Sequence, residues 1–493
     1  MPSYKNTVAF YCSDFPKTLF PLDVNRFLIE NYAGELGKLV YERITHQKKG
    51  ELTFLPQTRA YAAKPHYHLR RTAKLDPVAE FFIYDLIYRN RAGFAGSGSK
   101  HRRSFGYRFI GGEPVSAMNS FREFRQAIKA AMDSFGFCAK FDVSAYFNSI
   151  YHHDLVTWFN NVARSEQDSE FFDKFLKQTN SGRSIDCLPH GLYPTKMLGA
   201  HFLSFIEHGS RLDSDLTLRF MDDIYIFSDQ EADVLRDFVA LQHMLGERGL
   251  TVNPSKTKIG DVEYVDVEQH VDVLRASLLE RRALAVTGSG VDLDAESSGD
   301  SLTAEETDYL VNLLRDPEIA EEDAELVLAL MRDHSSDVLE NLEEFLRRFP
   351  NLSKSIFHFC AHVEDKSDVL AVIRSLLASD AELTEFQLFW IAKIFEEYLT
   401  ELSDVDTIVH RLYEHSNATD LSRAKLLEIK DRRFGLAELR EEHLRTGQSG
   451  WLSWSSAVGA RAEKKRNRNH LLGYFANGSP LNQLIATCVQ RAP

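Results

Sequence analysis

Asp222 and Asp223 stand side by side in Arg219-Phe220-Met221-Asp222-Asp223-Ile224-Tyr225-Ile226. Leu216, Leu218 and Phe220 alternate with polar positions before the pair, and Ile224 and Ile226 resume the alternation after it. That pattern predicts a β-hairpin with the two carboxylates at its tip. Adjacent carboxylates on a tight turn repel each other, and the arrangement becomes useful when a divalent cation bridges the charge. Upstream, Phe137-Cys138-Ala139-Lys140-Phe141-Asp142-Val143-Ser144-Ala145-Tyr146-Phe147 reads as a short apolar strand that ends on Asp142. An acid at a strand end beside an Asp-Asp hairpin is the set a two-metal nucleotidyl transferase requires, with ions roughly 3.5–4 Å apart. Two Mg²⁺ ions suit such a site because Mg²⁺ takes oxygen ligands and keeps several waters, with Mn²⁺ as the alternative.

Two further strings fall in order around these acids. Gly249-Leu250-Thr251-Val252-Asn253-Pro254-Ser255-Lys256 brings a lysine that could stabilise or protonate a leaving pyrophosphate. Between the acids, Cys187-Leu188-Pro189-His190-Gly191-Leu192-Tyr193-Pro194 is a Pro/Gly-rich turn that leads into an apolar segment.

As a set these strings resemble the motifs of reverse transcriptases, over about residues 60–265. Phe-Asp-Val-Ser-Ala-Tyr-Phe is similar to motif A, Leu-Pro-His-Gly to motif B, Phe-Met-Asp-Asp to motif C and Gly-Leu-Thr-Val-Asn-Pro-Ser-Lys-Thr to motif D. Ser104-Phe105-Gly106-Tyr107-Arg108-Phe109 resembles a string from the fingers of bacterial intron-type enzymes. The resemblance implies Asp142, Asp222 and Asp223 as metal-site acids, with Val143 beside Asp142 in the metal set, and Lys256 as the motif D lysine. It implies Phe147 as a steric gate that excludes a ribose 2′-hydroxyl and selects dNTPs. Arg70, Arg71 and Lys74 fall where relatives place their triphosphate-binding fingers, and His190 and Gly191 complete the implied nucleotide site. The family usually has Leu-Pro-Gln-Gly. His190 replaces the glutamine near the templating base pair of relatives and speaks against templated copying.

Composition adds a compartment and an uneven charge. Cys12, Cys138, Cys187, Cys360 and Cys488 show no paired spacing, which argues against a disulfide framework and against a zinc site. No signal pattern and no apolar run of membrane-spanning length is present, so a cytoplasmic protein without membrane contact is expected. Residues 1–140 hold 22 Lys and Arg against 12 Asp and Glu, a surplus of +10, whereas the whole 493-residue chain is at −14. A basic N-terminal third suits phosphate binding. Its clusters are Arg70, Arg71 and Lys74, and Lys100, His101, Arg102 and Arg103.

The elements that must position these residues are legible as periodicities. Helices are expected over 22–45, 76–91 and 116–134, the second amphipathic, with a Gly/Ser loop from Gly93 to Ser99. Ser228 with Glu231 reads as a capping box opening a helix that ends at Gly249. His152-His153-Asp154 lacks a third ligand at metal spacing, and Asp154 reads as a helix cap. The fold class expected is α+β, with reverse-transcriptase-like fingers and palm over 1–265. A Gly/Ser-rich transition over 266–302 follows, then an all-α, HEAT-like domain over 303–493 that opens at Thr303 and Glu306. One basic stretch interrupts that acidic half: Arg461, Lys464, Lys465, Arg466, Arg468 and His470.

A polymerase core followed by a helical array resembles the bacterial abortive-infection reverse transcriptases of the AbiK and P2-prophage type. That resemblance implies anti-phage defence, untemplated DNA synthesis from dNTPs, a protein tyrosine as primer and a homo-oligomer. The product would be single-stranded DNA attached to the protein. Tyr4, Tyr11, Tyr32, Tyr41, Tyr61 and Tyr67 are the N-terminal candidates for priming. Two alternatives stand beside it: a templated polymerase of a retron or group II intron-like element, and a catalytically silent scaffold acting through its helices.

Overall fold

The computed structural model describes residues 3–45, 52–96, 99–185, 188–208, 212–265, 273–287, 290–291, 302–379, 381–403 and 405–492. Cys187 and most of the Gly/Ser-rich transition lie outside them, although a helix, Val273–Ala285, stands within the expected 266–302 segment.

A mixed five-stranded sheet carries the acids. Its strand order is Arg102–Ser104, Leu216–Phe220, Asp223–Ser228, Phe137–Phe141, Lys258–Asp261, with the first pair parallel and the rest antiparallel. The sheet is covered on both faces. Ala139, Phe141, Ile224 and Ile226 join the main core, where Phe141 meets Phe238 of helix Glu231–Gly246 at 5.1 Å between ring centroids. Cys138, Leu218, Tyr225 and Phe227 form a second core with Phe124 and Ile128 of helix Ala117–Met132. Double coverage corrects the alternation expected for Leu216–Phe220, because Thr217 and Arg219 are as buried as Leu218.

Helix Pro77–Arg89 is likewise buried all round instead of amphipathic, every residue from Pro77 to Ile87 being inside. Asp76 caps it by accepting from the Val78 and Ala79 amides, with Pro77 at the first helical position. The Ser228 cap is also corrected. Ser228 ends its strand and its hydroxyl donates to Asp215, leaving helix Glu231–Gly246 without a side-chain cap. Asp154 lies inside the first turn of helix His152–Val162, whose capping position is Tyr151.

The C-terminal part is largely helical. The Thr303–Glu306 capping box forms as expected at the start of Ala304–Leu314. Beyond it helices pack on their second neighbours in sequence. Glu321–Leu330, Ser353–Cys360, Glu385–Ile394, Asp420–Leu427, Trp451–Gly459 and Pro480–Arg491 stack in one layer. Leu342–Arg348, Lys366–Ala378 and Asp406–Tyr413 stack in the other. This is the two-layer plan of helical-repeat arrays.

The first layer docks on the N-terminal region. The Glu428 carboxylate accepts from the Asp23 and Val24 amides at 2.7 Å each, capping helix Asp23–Lys38 from another part of the chain. Lys425, fully buried, lies 3.0 Å from Asp23, 2.8 Å from Glu396 and 3.4 Å from Glu428. In the basic stretch, Arg461 covers the Phe27 ring and buried Arg468 donates to the Ala492 carbonyl. Lys464, Lys465, Arg466 and His470 are the exposed remainder.

Candidate active site

Three chain segments converge at the end of the sheet where Phe137–Phe141 stops. Asp142 follows that strand directly, and Asp223 pairs with Phe220 across the hairpin turn. The motif D segment runs alongside. The Ser144 amide donates to Thr251 at 2.7 Å and the Asn253 amide to the Asp142 carbonyl at 2.9 Å. These two bonds flank Val143, and neither uses the Val143 carbonyl. They bring Lys256 Nζ to 2.7 Å from Asp142 Oδ2.

The acids feel one another. Burial, then Asp223, raises Asp222 to about 6, with Asp142 adding to the rise and Lys256 opposing it. Asp223 is raised as well, by burial against the pull of Lys256. Among the described residues no three His, Cys, Asp or Glu side chains close around a common point. The Lys256 ammonium instead takes part of the charge. Asp142 Oδ1 is buried with no hydrogen-bond partner. A buried anionic oxygen without a partner, inside a cluster of repelling carboxylates, is what a divalent cation would satisfy. Asp142, Asp222 and Asp223 therefore fit the ions the sequence implies.

Facing the acids is the hairpin Thr58–Ala63 and Leu69–Lys74. Its alternation places Arg70, Thr72 and Lys74 on one face and Arg71 on the other. The fates of the four differ. Arg70 is partly buried and interacts electrostatically with Asp222, as does Lys64 at the hairpin turn with Asp222 and Asp142. Thr72 bridges to the motif B turn: its hydroxyl donates to the His190 carbonyl and accepts from the His190 amide, both at 3.1 Å. Lys74 is the clear correction. It is 4% exposed and ion-paired to the fully buried Glu80 at 2.8 Å, so it is a core residue and not a phosphate ligand. Arg71 pairs with Tyr61 in the hairpin, on the face away from Arg70. Lys64, which the sequence did not single out, is the further cation that interacts with Asp222 and Asp142, and its only signal was proximity to the arginines.

Phe147 lies under His190, their ring centroids 4.7 Å apart in an edge-on arrangement. Burial first, then Arg70, Lys196 and Lys64, holds the His190 imidazole well below its ordinary pKa, so the ring is neutral. Gly199 seats the aromatic pair, since a Cβ there would lie 3.1 Å from the Phe147 ring and 3.3 Å from Tyr146. Gly191 is required by the backbone. It is buried at φ +101°, with Leu19 2.8 Å from where a Cβ would stand, so it shapes the turn against the N-terminal segment. Gly191→Ala should lower stability by about 1–3 kcal/mol, from left-handed strain and overpacking, read as a fall in denaturation midpoint.

Residues 110–292 match the family model described as "Reverse transcriptase (RNA-dependent DNA polymerase)", a stretch that holds all three aspartates, Phe147, His190 and Lys256. No curated protein matches the chain. Among solved structures, apo telomerase of Candida tropicalis is 10% identical, with 74% of this chain and 70% of that chain covered at a TM-score of 0.28. The same organism's telomerase in complex with the TWJ fragment of telomeric RNA is 11% identical, with coverages of 78% and 68% and a TM-score of 0.30. The corresponding Candida albicans complex is 12% identical, with coverages of 78% and 70% and a TM-score of 0.28.

Proposed function

We propose that the reverse-transcriptase domain in this chain synthesises DNA from dNTPs by two-metal nucleotidyl transfer, without a nucleic-acid template and primed on a protein hydroxyl, in anti-phage defence. The observation that carries the polymerase part is the convergence of Asp142, Asp222 and Asp223 opposite Lys64 and Arg70, with Lys256 on Asp142. The three aspartates would hold two Mg²⁺ ions, which activate a hydroxyl and neutralise charge on the triphosphate. Lys64 and Arg70 supply the cationic wall for that triphosphate, and Lys256 is placed to stabilise the leaving pyrophosphate. Phe147, wedged between His190 and Gly199, is the gate on the sugar. Phe147→Val should raise ribonucleotide incorporation relative to dNTPs by about 10²-fold, measured as the ratio of kcat/KM values.

Untemplated synthesis is supported by His190. A neutral imidazole locked against Phe147 replaces a flexible amide beside the expected base-pair position. Among the six candidate primers, Tyr11 is fully buried, the Tyr41 hydroxyl donates to Asp85, the Tyr32 hydroxyl to the Cys488 carbonyl, and Tyr4 packs on Phe81. Tyr61 and Tyr67 have exposed rings and belong to the arginine hairpin region, the Tyr67 hydroxyl donating to the Arg347 carbonyl. The defence role and the homo-oligomer rest on the order of polymerase core and helical array, and the proposed site of action is the cytoplasm. No described helix is long and apolar enough to cross a membrane.

The test is incubation of the whole chain with Mg²⁺ and labelled dNTPs alone. Nuclease-sensitive label that stays with the protein until protease is added supports the proposal. Label that appears only with added RNA replaces it with templated copying.

A further inference from the structure

The turn that carries Asp222 and Asp223 is gripped from behind by a side chain outside the metal set. Arg219 is 1% exposed. Its Nε and Nη2 donate to the two Glu207 oxygens at 2.5 and 2.8 Å, and its Nη1 donates to the Met221 carbonyl at 2.8 Å. Met221 has φ +58°, a left-handed conformation that costs a non-glycine residue about 1–2 kcal/mol. Such a residue persists only where its surroundings over-determine it. The Met221 carbonyl belongs to the same peptide plane as the Asp222 amide. Holding that oxygen therefore sets the direction in which the Asp222 side chain leaves the backbone.

Glu207, itself buried, comes from the short helix Phe205–His208 and satisfies the other edge of the guanidinium. On the far side the pair borders a cavity of about 300 Å³ lined also by Tyr107, Trp158 and His201. Hydrogen bonds, more than close packing, fix the guanidinium there. A buried ion pair is weak support for stability on its own, because apolar residues of similar volume often do as well. A directed bond to a strained turn is what an apolar pair could not supply.

We propose that Arg219, oriented by Glu207, is a positioning residue that holds the Met221–Asp222 peptide so that Asp222 and Asp223 can take up metal. The proposal rests on the polymerase reading of the site. Lysine at this position keeps a charge beside Glu207 but cannot reach both partners with one planar fork.

The test uses the full-length chain, stripped of metal, with Mn²⁺ binding followed by electron paramagnetic resonance and dNTP incorporation followed against Mg²⁺ concentration. Arg219→Lys should weaken Mn²⁺ binding by at least about tenfold, as loss of a residue orienting a metal ligand does. It should lower kcat by about 10²-fold while dNTP KM changes by no more than about twofold. Adding Met221→Gly to Arg219→Lys should recover part of the Mn²⁺ affinity, because glycine enters the left-handed region without the steric cost. A folded Arg219→Lys chain with wild-type Mn²⁺ affinity overturns the proposal. If that variant does not fold, Glu207→Gln decides by the same two readouts. Should the wild type bind Mn²⁺ through Asp222 yet never incorporate dNTPs, the polymerase reading fails while weakened Mn²⁺ binding in Arg219→Lys still upholds the clamp.

Discussion

Asp222→Asn should lower DNA synthesis by about 10³-fold or more and, in the same preparation, raise the thermal stability of the metal-free chain. Both effects come from one feature. Asp222 is pushed to about 6 by burial and by the neighbouring Asp223 and Asp142, so the folded state resists its ionisation. Below the unfolded carboxylate value near 4 both states are protonated and nothing is lost. As pH rises from about 4 to about 6 the unfolded chain gives up the proton while the folded chain keeps it, and stability falls. Above about 6 the cost is complete, of the order of 1 kcal/mol once the group's partial exposure is allowed for. Asparagine removes that pH dependence and the ligand together. Saturating Mg²⁺ should stabilise the wild type, by about 2.7 kcal/mol at a hundred times its dissociation constant, and stabilise Asp222→Asn far less. Thermal denaturation between pH 5 and 8, with EDTA or with Mg²⁺, checks the stability part and labelled dNTPs check the rest. An Asp222→Asn chain with full biological activity would favour the scaffold alternative.

The second large effect lies far from the acids. Lys425→Ala should destabilise the chain by about 3–5 kcal/mol. Lys425 is fully buried among Asp23, Glu396 and Glu428. Without its ammonium, three carboxylates face one another at the junction between helix Asp23–Lys38 and the helical array. Burial already pushes Glu428 up, and Lys425 opposes that rise most, ahead of the Val24 and Asp23 amides. Glu428→Gln should cost less, about 1–2 kcal/mol, since an amide oxygen still accepts from one of the two backbone amides of Asp23 and Val24. Denaturation of the two variants side by side would show the order. Equal losses would mean that bonding to the helix terminus, and not charge balance, holds the array in place.

The array also reaches the arginine hairpin. The Trp451 indole donates to the Thr58 hydroxyl at 2.8 Å, the Tyr61 amide donates to Glu385 at 3.1 Å, and the Tyr67 hydroxyl donates to the Arg347 carbonyl. The hairpin that presents Arg70 to Asp222 is thereby braced by the array. None of these contacts has a local sequence signal, because each joins residues hundreds of positions apart.

Local chemistry was readable where one short stretch holds all the information. The strand ending on Asp142, the Asp222–Asp223 turn, the Thr303 capping box and the helical character of the C-terminal part all rest on neighbours in sequence. The misreadings share the opposite cause. Lys74 looked like a phosphate ligand beside Arg70 and Arg71, yet strand alternation and the distant Glu80 turn it into the core. Helix Pro77–Arg89 was expected to be amphipathic on the apolar set Phe81, Phe82, Tyr84, Leu86 and Ile87, but its charged Glu80 and Asp85 are buried too, Glu80 with Lys74 and Asn25, Asp85 with Tyr41 and Arg89. Ser228 looked like a cap until Asp215 claimed its hydroxyl.

By itself, then, the sequence determined which carboxylates could hold a cation, that they end strands, and that a helical array follows them. Periodicity and residue type encode such local facts directly. Tertiary structure alone decided that Lys64 and Arg70 face the acids, that His190 locks Phe147, that Arg219 and Glu207 hold the turn, and that Lys425 joins the array to the N-terminal helix. Each of these is a contact made across the fold, and a side chain meets whichever partner the packing brings within reach, a choice that no local pattern records.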